Sequence, residues 1–232
     1  MSSVGLALVR GLLRREVDGL LLVGDGQQAI YPGGFTLAEA GISVVGRSTV
    51  LDRNYRNAGR VFAYAQSVVG DDPFDDLEGD PVAGRRDVLL DRPGGRVVQA
   101  ESCRREHEAM VLATHIRTLR DEGVRLGDMA VLVPTNRKVE LWLRNLADER
   151  LPAMPLREYD GVRTEAVKVG TFHRAKGLEF GHVLVPDRNH LLAPRGRTES
   201  EQAYRERVEL ERRQLFVALT RARDGLWLGA TR

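Results

Sequence analysis

The chain is poor in cysteine and lysine and has no long apolar run. Its single cysteine, Cys103, excludes an internal disulfide and any zinc site built on a cysteine cluster. The pairs His107/His115 and His182/His190 have no acidic or cysteine partners at ligand spacing, so we predict no metal site on this chain. No stretch approaches the ~20 apolar residues that span a bilayer, and the N-terminus has no cleavage pattern. We therefore expect a cytoplasmic protein without a membrane partner.

Arginine carries nearly all of the basic charge. Only three of the 35 Lys and Arg residues are lysines. Arginine could be selected for forked contacts with phosphate, although a coding bias would produce the same composition. The net charge of +2 is too small to indicate a nucleic-acid partner by itself, but residues 161–232 hold 14 Lys and Arg against 9 Asp and Glu. The basic excess is therefore local to the C-terminal part.

Apolar runs and helix-period segments alternate along most of the 232 residues, of which 42% are hydrophobic. This alternation predicts an α/β fold, with a doubly wound, mostly parallel sheet and helices on both faces. An acidic, loop-rich excursion is expected at 70–95. We predict helices at 1–18, from the expected cap Asn57 to about Val69, and at 104–121, 136–149 and 201–223. The predicted strands are 20–23, 44–51, 97–98, 129–133, 165–169, 183–185 and 226–228.

The stretch VGTFHRAKGLEF, residues 169–180, breaks from an apolar run into a polar turn that contains a glycine. It brings Thr171, His173, Lys176 and Glu179 close together in sequence. In open α/β sheets ligands bind beyond the carboxyl ends of strands, and we expect these side chains to lie there. By itself the stretch is equally typical of a polar loop without function.

Three further stretches are expected at strand ends of the same sheet: GDGQQAIY at 24–31, LDRNYRN at 51–57 and ERRQLFVALTRAR at 211–223. With 170–180, their order and spacing resemble motifs III, IV, V and VI of the UvrD/Rep-type superfamily 1 DNA helicases. The resemblance implies a RecA-like sheet of the P-loop NTPase type.

The resemblance implies that Gln28, Arg56 and Arg221 act on the terminal phosphate of ATP, because phosphoryl transfer needs fixed positive charge and a positioned water. We expect these three residues and Glu179 to converge on one face at strand carboxyl ends. Arg221 could instead only end a helix favourably, through the helix dipole.

The remaining ATP contacts implied by the resemblance surround the base and the sugar. Tyr55 resembles the aromatic residue that stacks on adenine, and Lys176, Gly177 and Glu179 match the motif near the ribose. Tyr55 could alternatively belong to the core.

Single-stranded DNA is the implied nucleic-acid partner, held by backbone contacts and base stacking. Tyr31, Thr171 and His173 match the family's DNA-binding surface, although His173 could be an ordinary surface histidine. The family usually places a second aromatic residue where this chain has Gly33, with Phe35 nearby as a possible substitute.

The family's P-loop, in which a lysine follows a glycine, is missing, because none of the three lysines follows a glycine. The Mg²⁺-binding acidic motif is missing as well. We therefore expect residues 1–45 to be the tail of a first RecA-like domain and 46–232 to be the second. ATP with Mg²⁺ would be held jointly with an N-terminal helicase half, in the same polypeptide or another chain, and the chain alone would be inactive. By analogy, movement would be 3′ to 5′.

The alternative is a non-catalytic DNA- or protein-binding module derived from a helicase. Loss of ATPase function should first erode Gln28, Arg56, Glu179 and Arg221, since no requirement of the fold preserves them. All four are present, which favours the helicase interpretation.

Overall fold

The computed structural model describes residues 3–13, 19–23, 37, 41–43, 47, 49, 51–70, 74–75, 81–82, 88–103, 107–188 and 193–231. The helices are α1 (Ser3–Leu12), α2 (Gly59–Val69), α3 (Glu108–Asp121), α4 (Asn136–Asp148) and α5 (Glu201–Leu219). The strands are β1 (Arg53–Ala58), β2 (Phe74–Asp75), β3 (Pro81–Val82), β4 (Leu89–Arg92), β5 (Arg96–Cys103), β6 (Met129–Val133), β7 (Ala153–Pro155), β8 (Val167–Thr171), β9 (Phe180–Val185) and β10 (Ala222–Thr231).

Six of the strands form one sheet in the order β5-β10-β9-β6-β8-β7, and every neighbouring pair in it is parallel. In the middle of the sheet, Val131 of β6 lies opposite Val169 of β8 and Leu184 of β9. All five residues of β6 are buried, as a central strand covered on both faces requires. The predicted α/β fold with a mostly parallel sheet is therefore confirmed.

Helices cover both faces of this sheet. Successive side chains of a strand point to opposite sides, so a single strand contributes to the core on each face. Ala130 and Leu132 of β6 pack in the core cluster that holds α2 and α5. Met129, Val131 and Val133 of the same strand pack in the second cluster, with α3 and α4. The sheet is thus doubly wound.

A second, smaller sheet lies beside the first: β1 pairs in parallel with β4, and an irregularity separates Asn54 from Ala58 in this pairing. The predicted excursion at 70–95 therefore contains β4 and also the short antiparallel pair β2–β3. In the described ranges, no helix is long and apolar enough to cross a membrane.

Several sequence-based boundaries differ from the structure. The described residues 19–23 form no strand, and Leu21 and Val23 are 87% and 88% exposed, because an apolar run becomes a buried strand only if neighbours cover it. Most of the predicted strand 44–51 lies outside the described residues. The predicted helix 201–223 ends at Leu219, and β10 begins at Ala222. The domain boundary at residue 45 stays a prediction.

Candidate functional site

The predicted turn after β8 is a crossover between two edges of the sheet. Strands β8 and β9 both run parallel to β6, so the chain that leaves the end of β8 must return before β9 can begin. Residues 172–179, here called the crossover segment, make this return. We call the edge where β6, β8 and β9 end the carboxyl edge, and the edge where β9 and β10 begin the amino edge. The two edges are about 20 Å apart, at ~3.3 Å per residue along β9.

This topology corrects the predicted placement of the site. Thr171 ends β8 at the carboxyl edge, as expected, but Glu179 and Arg221 immediately precede β9 and β10 and therefore lie at the amino edge. Arg56 contacts Glu179 there. Only the residues directly after β8 lie beyond a strand's carboxyl end, where ligands bind in open α/β sheets. The parallel crossover carries the later residues of the motif, including Glu179, to the opposite edge.

At the carboxyl edge, the crossover segment begins as a hydrogen-bonded turn on Thr171. The Thr171 hydroxyl accepts from the backbone N–H of Arg174 at 3.2 Å, and its carbonyl accepts from that of Ala175 at 3.0 Å. Phe172 donates its backbone N–H to the carbonyl of Val133 at 3.0 Å. Phe172 and Ala175 are buried, whereas Thr171 and His173 are half-buried. The buried Phe172 and Ala175 therefore fix the turn to the core, and the polar side chains of Thr171 and His173 lie at the surface.

Arg157 and Arg174, which are not among the predicted site residues, lie at this turn. Leu156 packs so closely over Gly170 that a Cβ there would lie 2.6 Å from the Leu156 Cβ, which brings the chain after β7 against the end of β8. The Arg174 guanidinium donates to the carbonyl of Arg157 at 3.2 Å. The Arg157 side chain is 62% exposed, and its Nε lies 3.5 Å from Oε1 of Glu158. The carboxyl edge therefore carries the positive charge of Arg174 near Thr171, whereas that of Arg157 is partly offset by Glu158.

At the amino edge, Arg56 and Glu179 form an ion pair, with 2.5 Å between Arg56 Nε and Glu179 Oε1. Their side chains are 38% and 48% exposed, so the pair lies at the surface. Next to Glu179, the backbone N–H of Phe180 donates to the carbonyl of Arg221 at 2.9 Å. The Arg56 and Glu179 side chains thus meet, and the backbone of Arg221 lies next to them, although the three residues are far apart in sequence.

Asn57 connects these parts, and it does not cap α2 as predicted. The residue before α2 is Ala58, which makes no side-chain cap. The buried Asn57 amide instead donates to the carbonyls of Thr220, at 3.0 Å, and Ala222, at 2.5 Å. Because those partners are 163 and 165 positions away, local sequence pattern could not identify them.

Arg92 makes a second connection at the same edge. It donates to the carbonyls of Arg56 at 2.7 Å and Arg223 at 3.3 Å, and it pairs with Asp224 at 2.5 Å. Burial by itself would raise the pKa of Asp224, but hydrogen bonds from Arg92 and Arg223 outweigh it and hold this pKa below its usual value. The carboxylate is therefore ionised at neutral pH, and the connection is a charged one.

Arg221 differs from Arg56 because it is only 2% exposed. Its Nε donates to the carbonyl of Val217 at 3.0 Å, and Nη2 lies 3.3 Å from the Thr220 hydroxyl. A cation that contacts the last carbonyls of α5 stabilises that helix end. In this structure the geometry of Arg221 is therefore that of the alternative interpretation, in which the arginine stabilises the end of a helix.

The other predicted ATP residues are accessible. Tyr55 is 67% exposed, which excludes a core role, and the Arg53 guanidinium lies 5.9 Å from its ring centroid. Lys176 and Gly177 are exposed, and Gly177 has a φ of +88°, a conformation that favours glycine.

Gln28 and Tyr31 lie outside the described residues. Within the described part of the chain, no three His, Cys, Asp or Glu side chains are grouped so that they could hold a metal ion.

The parallel, doubly covered sheet and the crossover segment define an α/β domain. Residues 156–232 match the family model of the UvrD-like helicase C-terminal domain. The resemblance to UvrD-type helicases is thereby confirmed for this matched region, which contains the crossover segment, α5 and β10.

A solved structure agrees in fold. The crystal structure of the C-terminal domain of a possible DNA helicase from Lactobacillus plantarum WCFS1 superposes with a TM-score of 0.51 at 18% sequence identity. The similarity covers 77% of this chain and 88% of that one. At this identity the likeness concerns the fold. Among curated proteins, none is significantly similar in sequence.

Proposed function

We propose that this chain is the C-terminal part of an ATP-dependent DNA helicase or translocase, with ATP at the amino edge and single-stranded DNA at the carboxyl edge. The observation that carries the proposal is the crossover segment, which begins beside Thr171 and His173 and ends at the Arg56–Glu179 ion pair. One short segment therefore links the two candidate binding surfaces.

The amino edge fits the phosphate and base of a nucleotide. The Arg56 guanidinium is partly exposed, and its Nε contact with Glu179 orients the planar fork that suits phosphate oxygens. The exposed Tyr55 ring belongs to the same strand and offers a face for adenine. Lys176, Gly177 and Glu179 are exposed at the end of the crossover segment, where the ribose would lie. Bound ATP with Mg²⁺ would supply the phosphoryl group that is transferred.

The carboxyl edge fits a single strand through charge and hydrogen bonding. Thr171 and His173 are half-buried on a hydrogen-bonded turn, and the exposed Arg174 adds positive charge beside them. Arg157 adds a second guanidinium nearby, which also pairs with Glu158. Backbone phosphates are recognised by such groups without sequence preference. Tyr31 belongs to the same proposed surface through its motif.

The partner is a P-loop half that holds the Mg²⁺ and the β/γ-phosphates, in the same polypeptide or another chain. Gln28 would sense the terminal phosphate, and movement would run 3′ to 5′. Without that half the chain should not hydrolyse ATP, because positioning supplies most of the catalysis of phosphoryl transfer.

A second candidate, the non-catalytic binding module, is favoured by the burial of Arg221. A residue that is 2% exposed and donates to its own helix has a structural use that needs no ATP. In the helicase interpretation, Arg221 must turn outward when the P-loop half and ATP are present.

The test measures how two substitutions change the binding of two ligands. Arg56→Ala should weaken binding of a fluorescent ATP analogue with Mg²⁺ and leave binding of a fluorescent single-stranded oligonucleotide unchanged. His173→Ala should do the reverse. Circular dichroism controls for folding. If wild type binds both ligands and Arg56→Ala leaves nucleotide binding unchanged, the non-catalytic module is the better interpretation. If wild type binds neither, the helicase function and DNA binding are both wrong, and only a protein-binding module is left.

A further inference from the structure

Asn57 is a buried polar side chain at the amino edge to which no motif assigns a role. It is 3% exposed. Its two amide hydrogens are both used, one on the Thr220 carbonyl and one on the Ala222 carbonyl, and its Oδ1 accepts from Asn54 at 2.9 Å. The side chain is therefore fully hydrogen-bonded across two distant parts of the chain.

The hydrogen bonds of Asn57 connect the segment that carries Arg56 with the segment that carries Arg221. Asn57 directly follows Arg56, and its two acceptors belong to the residues on either side of Arg221. A buried amide held at three points has one orientation, because any rotation would leave a buried donor without its acceptor. Strand β1, which carries Arg56, is thereby held in register with the turn that carries Arg221.

Asn54 turns the same strand toward this contact. Its Oδ1 accepts from the backbone N–H of Arg56 at 2.9 Å and of Asn57 at 3.0 Å. These bonds coincide with the irregularity in the pairing of β1 with β4. Such irregularities re-aim side chains, and here the backbone directs Arg56 toward Glu179 and Asn57 toward β10.

We propose that Asn57 is a positioning residue, which fixes the Arg56 guanidinium relative to Arg221 at the amino edge. It acts through the arginines and does not touch the nucleotide. The functional consequence rests on the proposed function, because the spacing of Arg56 and Arg221 matters for ATP only if they contact its phosphates. Arg92, which holds the Arg56 carbonyl, is a secondary support.

The first arm of the test measures the arginines themselves. The Nε–H resonances of Arg56 and Arg221 are assigned in ¹⁵N spectra from the peaks that Arg56→Lys and Arg221→Lys remove. Asn57→Asp keeps the size and the Oδ1 acceptor but turns oxygen toward two carbonyls. Asn57→Ser is the milder variant in case the first does not fold. Both arginine resonances should shift in either variant.

The matched control is Thr135→Ala, which removes the hydrogen bond that caps α4 near the opposite edge. This loss should lower stability without moving either resonance, so a general loosening is distinguished from positioning. If both arginine resonances stay in place when Asn57 is replaced, the proposal is overturned.

The second arm titrates the fluorescent ATP analogue with Mg²⁺ into each variant. Asn57→Asp should bind it about tenfold more weakly, as expected when a charged contact worth ~1.4 kcal/mol is lost. Single-stranded DNA binding should change less than twofold, and Thr135→Ala should leave nucleotide binding unchanged. If the resonances shift but neither Asn57→Asp nor Arg56→Ala affects nucleotide binding, positioning is upheld and the proposed ATP function is wrong.

Discussion

The glycine pair before β5 offers a quantitative test of how the amino edge is packed. Gly94 and Gly95 have φ values of +84° and +91°, a region that costs other residues roughly 1–2 kcal/mol. A Cβ at Gly95 would lie 2.7 Å from the Ala58 Cβ and 3.3 Å from Val61 Cγ2, whereas one at Gly94 would meet nothing within 4 Å. The two neighbours therefore separate backbone strain from steric overlap.

We expect Gly94→Ala to lower the free energy of unfolding by about 1–2 kcal/mol, from backbone strain alone. Gly95→Ala adds an overlap with Ala58, which directly follows Asn57, and overpacking of this kind costs ~1–3 kcal/mol. The total expected for Gly95→Ala is therefore ~2–5 kcal/mol. Urea unfolding followed by circular dichroism measures both variants.

A double-mutant cycle isolates the contact. Ala58→Gly removes the nearest obstructing atom, and glycine is a better residue than alanine at this position before α2. The double variant Gly95→Ala/Ala58→Gly should regain ~1–3 kcal/mol of the loss. If Gly95→Ala is no more costly than Gly94→Ala, or if the two substitutions are additive, the packing of the 94–95 turn on β1 described above is wrong.

Two further predictions concern pH and salt. Burial, followed by repulsion from Arg96 and from His182 when it is protonated, lowers the pKa of His115 from 6.5 to about 4. Between pH 6.5 and about 4, His115 is protonated in the unfolded chain but stays neutral in the folded one. The free energy of unfolding should therefore fall as the pH drops through this range. His115→Gln should flatten this part of the unfolding profile; an unchanged profile would contradict the assignment. At the carboxyl edge, Arg157→Gln and Arg174→Gln should each weaken single-stranded DNA binding and reduce its salt slope by ~0.7. Arg205→Gln, whose side chain on α5 is 77% exposed, is the control, and equal effects of all three would show that only net charge matters.

Local pattern was sufficient for the framework of the sheet. Strand β6 was predicted at its observed bounds, because a five-residue apolar run between polar segments is typical of a strand covered on both faces. Helix α4 was predicted within a residue of its observed bounds, and in the structure Thr135 caps it. The family resemblance was also carried by residues that are close together in sequence, such as those of the crossover segment.

The identity of the candidate site residues was thus available from the sequence, but their placement was not. A motif read along the chain suggested one cluster beyond the carboxyl ends of strands. Strand order and direction divide that motif, with Thr171 at one edge and Glu179 at the other. Direction is a property of the whole sheet, since it depends on which strands pair.

Long-range partners decided the remaining differences. Asn57 has the residue type and position of a helix cap, and only the carbonyls of Thr220 and Ala222 turn it into a connection between strands. Arg221 was predicted inside a helix, whereas α5 ends two residues before it. The Arg221 side chain turns back along the chain and donates to the carbonyl of Val217. By itself the sequence determined the residue types, the periodicity and the family resemblance. The tertiary structure decided which groups are buried and what they contact, because hydrogen bonds and burial depend on neighbours that are distant along the chain.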